Sequence, residues 1–451
     1  MENLVCPSVA ERLYGLSLIW QEANYNFAFF DRVPDLDWDA AYREFIPQVI
    51  TADDLFTYYD FLERFVALLQ DGHSGVFPPK SVYMGLDRPK LTLMNIGNAP
   101  VVTNASRVIG SLAPIGSRLL EIDGILAEEY LSTHVLPLVW DNAPHRRRDR
   151  AISLLLRGRV GSRVHCTFAT PGSELVALEL VRNRGTDPDP WLRPSGAPHR
   201  SEFVNLVDYY YQGFPFPAFE FKMLERGVGY VALNTFMDPA VVTAFEEALP
   251  TLKGCSGLIL DLRKNMGGSS YCANSIAAHF LRQPTETCIV RSRKHIAVHK
   301  AHGVNLKDTP PNQLAELSEP ERVEFLCYRN QWFHEESWGQ VQPAQEILSL
   351  PTAILTSSET NSAADDFLMA FQSGKGEGIR IGESTSGSSG QPLEMALPGG
   401  GLGAICTVRM PEPEEVWQKG IEPHIWVEPT VEDIIQDEDR VLNTAIRYLC
   451  R

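Results

Sequence analysis

The stretch LPTAILTSSETNSAADDFLMAFQSGKGEGIRIGESTSGSSGQP, residues 350–392, decides how the rest of the chain is read. Ala353 to Leu355 is an apolar run of β type, and a polar turn follows it. A helix then opens at Ser362-Ala363-Ala364-Asp365, with Phe367, Leu368 and Phe371 spaced as its buried stripe. After Gly374 a second strand runs from Gly378 to Gly382 and gives way to a Gly/Ser loop. A serine at a strand-to-helix turn has its hydroxyl outside the backbone ladder and a helix N-terminus beneath it, which suits a nucleophile. The same position is that of an ordinary N-cap, whose side-chain oxygen accepts from an orphan helical N–H. Local pattern leaves both readings open.

Upstream, a strand–helix–strand unit starts at Gly227. Val228 to Leu233 reads as a buried strand, and a helix follows with Asp238 as N-cap and Pro239 at its first position. Its stripe is Val241, Val242, Phe245, Leu249 and Leu252, and a second strand runs from Gly257 to Arg263. This order implies a right-handed crossover within a largely parallel sheet. Gly267-Gly268 lies just past that strand, where glycines let backbone N–H groups face a ligand, as an oxyanion hole requires. Neither G-x-G-x-x-G nor G-K-[ST] is present, so the dinucleotide fingerprint and the P-loop are excluded.

The first 75 residues read as helical. Leu13, Leu16 and Trp20 mark one helix, and Leu55, Tyr58, Tyr59, Leu62, Phe65, Val66 and Leu69 mark another, with Thr51 and Asp54 as a capping pair. Gly72 and Gly75 stop this helix and leave His73 on a tight turn, as a structural histidine or a base. From about 90 to 184 the period shortens to strands, among them Ser117 to Gly124 and a hairpin of Val164–Ala169 with Leu175–Val181 around Pro171-Gly172. Residues 185–226 are rich in proline and aromatics, which pack a linker onto a core or line a cleft. His295, His299 and His302 would converge on a helix, but Ile296-Ala297-Val298 reads as strand, so no metal is expected.

A chain of 451 residues exceeds a single core, and two to four domains are expected. The net charge of −17 argues against nucleic acid or anionic membrane as the partner. The eight cysteines show no CxxC pair or metal spacing, which suits buried thiols in a reducing compartment. The N-terminus MENLVCPSVAERLYG lacks a basic n-region and apolar h-region, and a cytoplasmic soluble protein is expected.

Taken in order, LQDGHSGV, the segment around GSRLLEIDG, GYVALNTF, LILDLRKNMGG, the serine motif, IGESTSG and the tail GIEPHIWVEPTVEDI resemble the C-terminal-processing (tail-specific) serine protease family. The closer likeness is to its tricorn-like and retinoid-binding-protein-like branch. The resemblance implies an α/β fold with a crotonase/ClpP-like ββα core over 227–451, an N-terminal helical domain over 1–75, a PDZ-like β-domain over 90–184 and a linker over 185–226. It implies Ser362 as nucleophile, with Ala363 and Gly267 or Gly268 as oxyanion donors. The processing branch has a lysine base after G-E-x-T-x-G, where this chain has Ser388. The tricorn-like branch implies His73 as base, with Glu415, or Glu414 beside it, as a third catalytic residue. Its implied substrate is a peptide or protein, and no cofactor is implied. The alternatives are a non-catalytic binding protein on this scaffold, and an esterase or acyl-transfer enzyme using the same serine.

Overall fold

The computed structural model describes residues 5–193, 210–214, 216–286, 289–410, 416 and 419–450. Side-chain caps set the start of the first three helices. Ser8 and Glu11 form a capping box for α1 (Val9–Asn26), Asp37 caps α2 (Trp38–Thr51), and Asp54 caps α3 (Leu55–Ala67) by accepting from Thr57 N. The expected Thr51–Asp54 pair is corrected here: Thr51 ends α2, its hydroxyl donating to Gln48 O, and Asp54 caps alone.

The apolar face of α3 is fully buried, yet it does not pack against helices only. Its core includes Met395, Leu397, Ile405 and Cys406 from the far end of the chain. The cause is β1 (Gly75–Phe77), which leaves α3 through the His73 turn and joins a hairpin near the C-terminus. The Tyr59 hydroxyl donates to Pro398 O at 2.9 Å and accepts from Gly401 N at 2.8 Å, pinning the hairpin turn onto α3.

Next comes a six-stranded antiparallel sheet whose main path is β2 (Leu91–Ile96), β3 (Ala99–Ala105), β4 (Arg118–Ile122), β5 (Arg163–Ala169) and β6 (Leu175–Val181), with the short strand Ile125–Leu126 paired to β4. The β5–β6 hairpin turns around Pro171-Gly172 as its sequence predicts, with Ala169 opposite Leu175. Helix α4 (Pro144–Leu154) lies between β4 and β5 and shares this sheet's core through Ala151 and Ile152.

The third unit is a six-stranded sheet in the order β7–β8–β9–β10–β11–β14. Its strands are β7 (Phe219–Met223), β8 (Val228–Leu233), β9 (Gly257–Asp261), β10 (Thr352–Thr356), β11 (Ile379–Gly382) and, after the hairpin of β12 (Pro392–Leu397) and β13 (Gly401–Cys406), β14 (Ile425–Trp426). All neighbours run parallel except β7 with β8. Helices α5 (Ala240–Leu252), α6 (Ser270–Ala277) and α7 (Ala363–Ser373) cover one face and α8 (Arg440–Leu449) the other, so β8 to β10 are apolar on both sides. The α5 start is one residue later than expected, with Pro239 as N-cap and Asp238 Oδ1 accepting from Ala240 N.

The reading of 296–298 as strand is also corrected. Ala297–Gly303 is a helix, packed against the helix Glu319–Tyr328 so closely that a Cβ at Gly303 would meet Glu324 O at 2.2 Å. Tertiary packing overrides the β preference of Ile-Ala-Val. His295 meets Tyr25 O and His302 meets Glu324, so the histidines diverge, and among the described residues no cluster suited to a metal occurs.

The β9 end carries Asp261 and Arg263, both buried, and Arg263 also pairs with Asp439, the N-cap of α8, at 2.9 Å. Asp439→Ala leaves Arg263 paired with Asp261 but removes a second ion-pair partner and the α8 N-cap, and is expected to cost roughly 1–3 kcal/mol, read as a lower urea midpoint with unchanged slope.

Candidate active site

Ser362 stands between β10 and α7 with φ 55° and ψ −122°, and its side chain makes no capping hydrogen bond. A non-glycine residue is strained at positive φ and holds that conformation only where its surroundings impose it. Here its N–H donates to Ser388 O at 2.7 Å, its carbonyl accepts from Asp366 N at 3.0 Å, and Gly267 presses against it. A Cβ at Gly267, which has φ +97°, would lie 2.6 Å from Ser362 Cβ and 2.9 Å from Ala363 N. The hydroxyl is thus turned away from the helix it precedes.

It meets His73 Nε2 at 3.0 Å, across 289 residues of sequence. The His73 turn is fixed by Asp71, whose Oδ2 accepts from His73 N at 3.1 Å and from the Ser74 hydroxyl at 2.7 Å. Ser74 Oγ in turn accepts from Cys406 N at 3.0 Å on β13. The other ring nitrogen, Nδ1, lies 2.9 Å from Ser388 Oγ. Burial lowers the His73 pKa to about 4, with Asp141 opposing and Arg146 assisting. Burial likewise raises the Asp71 carboxyl to about 6.

The two glycines past β9 differ in what their N–H groups do. Gly267 N donates to Asn265 Oδ1 at 2.9 Å within its own turn. Gly268 N and Ala363 N have no acceptor among the described residues. Gly268 has φ +133°, and a Cβ there would meet Phe236 C and Met237 N at 2.3 Å, so only glycine fits.

A pocket of about 330 Å³ opens over Ser362 and His73, walled by Phe77, Trp140, Tyr210, Met237 and Met266. Of the aromatic segment before β7, Tyr210 lines this cleft, while Tyr211 stacks on Tyr83 at 5.0 Å and bonds Pro78 O. Both expectations for that segment therefore hold, for different residues. At the pocket's edge Asp141 bridges Arg146 and Arg150 at 3.0 and 3.1 Å, and Arg146 reaches Ser358 O in the turn before Ser362.

Glu415 and Glu414 lie outside the described residues. Sequence reasoning missed Ser388 as a neighbour of His73. Its signal was in view, as the residue standing where a lysine would be, but spacing alone gave it no partner.

A hydroxyl on a strained turn, bonded to an imidazole and beside two open N–H groups, is the arrangement of a serine hydrolase. Residues 227–427 match the family model described as peptidase family S41, and this core is that of a serine-type peptidase. Among solved structures, mature CPAF complexed with lactacystin is similar at 15% identity and a TM-score of 0.67, covering 98% of each chain. Mature CPAF alone gives 15% and 0.68, covering 98% of this chain and 96% of the other. The photosystem II D1 C-terminal processing protease gives 15% and 0.49, with 98% and 96% covered. No curated protein matches by sequence.

Because the folded value for His73 lies below the ordinary 6.5, the ring's contribution to stability is full above pH 6.5 and is lost as pH falls towards about 4. NMR titration is expected to find His73 neutral at pH 6. A midpoint at 6.5 or above would show that the ring is not closed in.

Proposed function

We propose that the chain hydrolyses peptide bonds with Ser362 as nucleophile and His73 as general base. The observation that carries this reading is the 3.0 Å approach of Ser362 Oγ to His73 Nε2. With Ser388 Oγ accepting from Nδ1–H, Nε2 is left to accept the Ser362 proton and later to return it to the leaving amine. A neutral ring, favoured by burial, is the form a base needs. The oxyanion of the tetrahedral intermediate would lie between Ala363 N–H and Gly268 N–H; Gly267 N–H is engaged by Asn265 and serves instead to give Ser362 room.

A hydroxyl behind the imidazole carries no charge, so an acid beyond it is wanted to stabilise the imidazolium. Glu415 is proposed for that place. Its neighbour Val416 has its carbonyl against Gly387, one residue before Ser388, close enough that a Cβ at Gly387 would overlap it. This supports an acid of that segment, Glu415 or Glu414 beside it, as the third catalytic residue.

Substrates are peptides or proteins, as the family implies. Within that class the reading favours unfolded or C-terminally exposed chains, because the cleft is a modest apolar pocket and the β2–β6 sheet is read as a PDZ-like module that adds a peptide at its edge. The crossover core is read as crotonase-like, and the division at about 75, 90, 185 and 227 is part of the same reading. The seven described cysteines are free thiols, which supports a reducing compartment.

A fluorophosphonate probe is expected to label the wild type and not Ser362→Ala. His73→Ala should lower kcat by ~10⁴-fold or more, and Glu415→Gln by ~10²-fold or more, on an unfolded protein substrate. An intact fold with no labelling, or full activity in His73→Ala, would sink the assignment.

A further inference from the structure

The start of α7 grips Ser388 twice. Its carbonyl accepts from Ser362 N–H at 2.7 Å, and its N–H donates to Asp365 Oδ2 at 3.2 Å. Asp365 is the third residue of the helix, from which an acidic side chain ordinarily reaches back to the N-cap N–H. That N–H is already taken by Ser388, and the carboxyl reaches across to another segment instead. Beside it, Thr385 Oγ1 accepts from Ile421 N at 2.8 Å and Thr385 O accepts from His145 Nε2 at 2.8 Å.

The grip fixes a hydroxyl that touches the reacting machinery. Ser388 Oγ is 2.9 Å from His73 Nδ1, and the space around it is closed, since a Cβ at Gly72 would lie 2.7 Å away. Scaffolding alone accounts poorly for an acid here. Asp365 is 1% exposed, and its other oxygen, Oδ1, is buried with no partner among the described residues, an arrangement that costs stability.

We infer that Asp365 is a positioning residue: it holds Ser388, and through Ser388 it orients the His73 ring. This rests on the reading of Ser362 and His73 given above. Burial, with Asp366 beside it, raises the Asp365 pKa to about 8, while Thr385, Ser388 N–H and Arg146 act the other way. At pH 7 the neutral acid therefore does the holding, and asparagine is its close mimic.

Asp365→Ala is expected to lower kcat about tenfold or more with KM within about twofold, and Asp365→Asn to rescue most of that loss. The double variant Asp365→Ala/Ser388→Ala should be no slower than Ser388→Ala alone, because one residue acts through the other. Wild-type kcat in Asp365→Ala, or losses that simply add in the double variant, would overturn the inference. Should Asp365→Ala fail to fold, Asp365→Glu, which keeps the acid but displaces its oxygens, takes its place in the same cycle. The two readings fail separately. A wild type that fluorophosphonate does not label removes the active-site assignment itself, whereas a labelled wild type with additive losses removes only the role of Asp365.

Discussion

Three antiparallel residue pairs, Gly75 with Ala404, Val76 with Gly403 and Phe77 with Leu402, hold the two halves of the site together. Among the described residues, β1 pairs with no strand but that of the hairpin that follows α7, which therefore satisfies its ladder groups. Once that pairing forms, α3 and the hairpin share one apolar core, and the turn between α3 and β1 is placed over Ser362. Tyr59 and Ser74 reinforce the junction with hydrogen bonds that span more than 300 residues. His73 is thus delivered by the folding of the N-terminal helices rather than by the α/β core that carries Ser362.

Strain and burial are concentrated at this junction. Ser362, Gly267 and Gly268 all have positive φ, and the two glycines leave no room for a side chain. Around them, His73, Asp71 and Asp365 are pushed by burial away from their charged forms. His73 and Asp365 are thereby held neutral near pH 7, whereas Asp71, raised only to about 6, is mostly ionised there.

Much of this could be read in the residues. The strand Val228–Leu233, the Gly-Gly after β9, the helix opening after Ser362 and the hairpin at Pro171-Gly172 follow from periodicity and turn chemistry, because they depend on neighbours in sequence. His73 was legible as a histidine on a fixed turn, and the family resemblance gave it a role. The helix at Ala297–Gly303 was not legible, since its stability comes from packing against Glu319–Tyr328. Nor was the cap at Ser362: its residue type and position are those of an N-cap, and only the contacts with Gly267 and Ser388 turn the hydroxyl elsewhere.

The sequence by itself determined the elements around Ser362, the setting of that serine at a strand-to-helix turn, and the lack of a lysine after Gly387, because each of these is a local pattern. Tertiary structure decided what replaces that lysine. Ser388 meets His73 across 315 residues and Asp365 across 23, and which N–H stays open between Gly267 and Gly268 depends on where Asn265 points. Hydrogen bonds of this kind are fixed by distance and angle in space, and spacing along the chain carries no record of them.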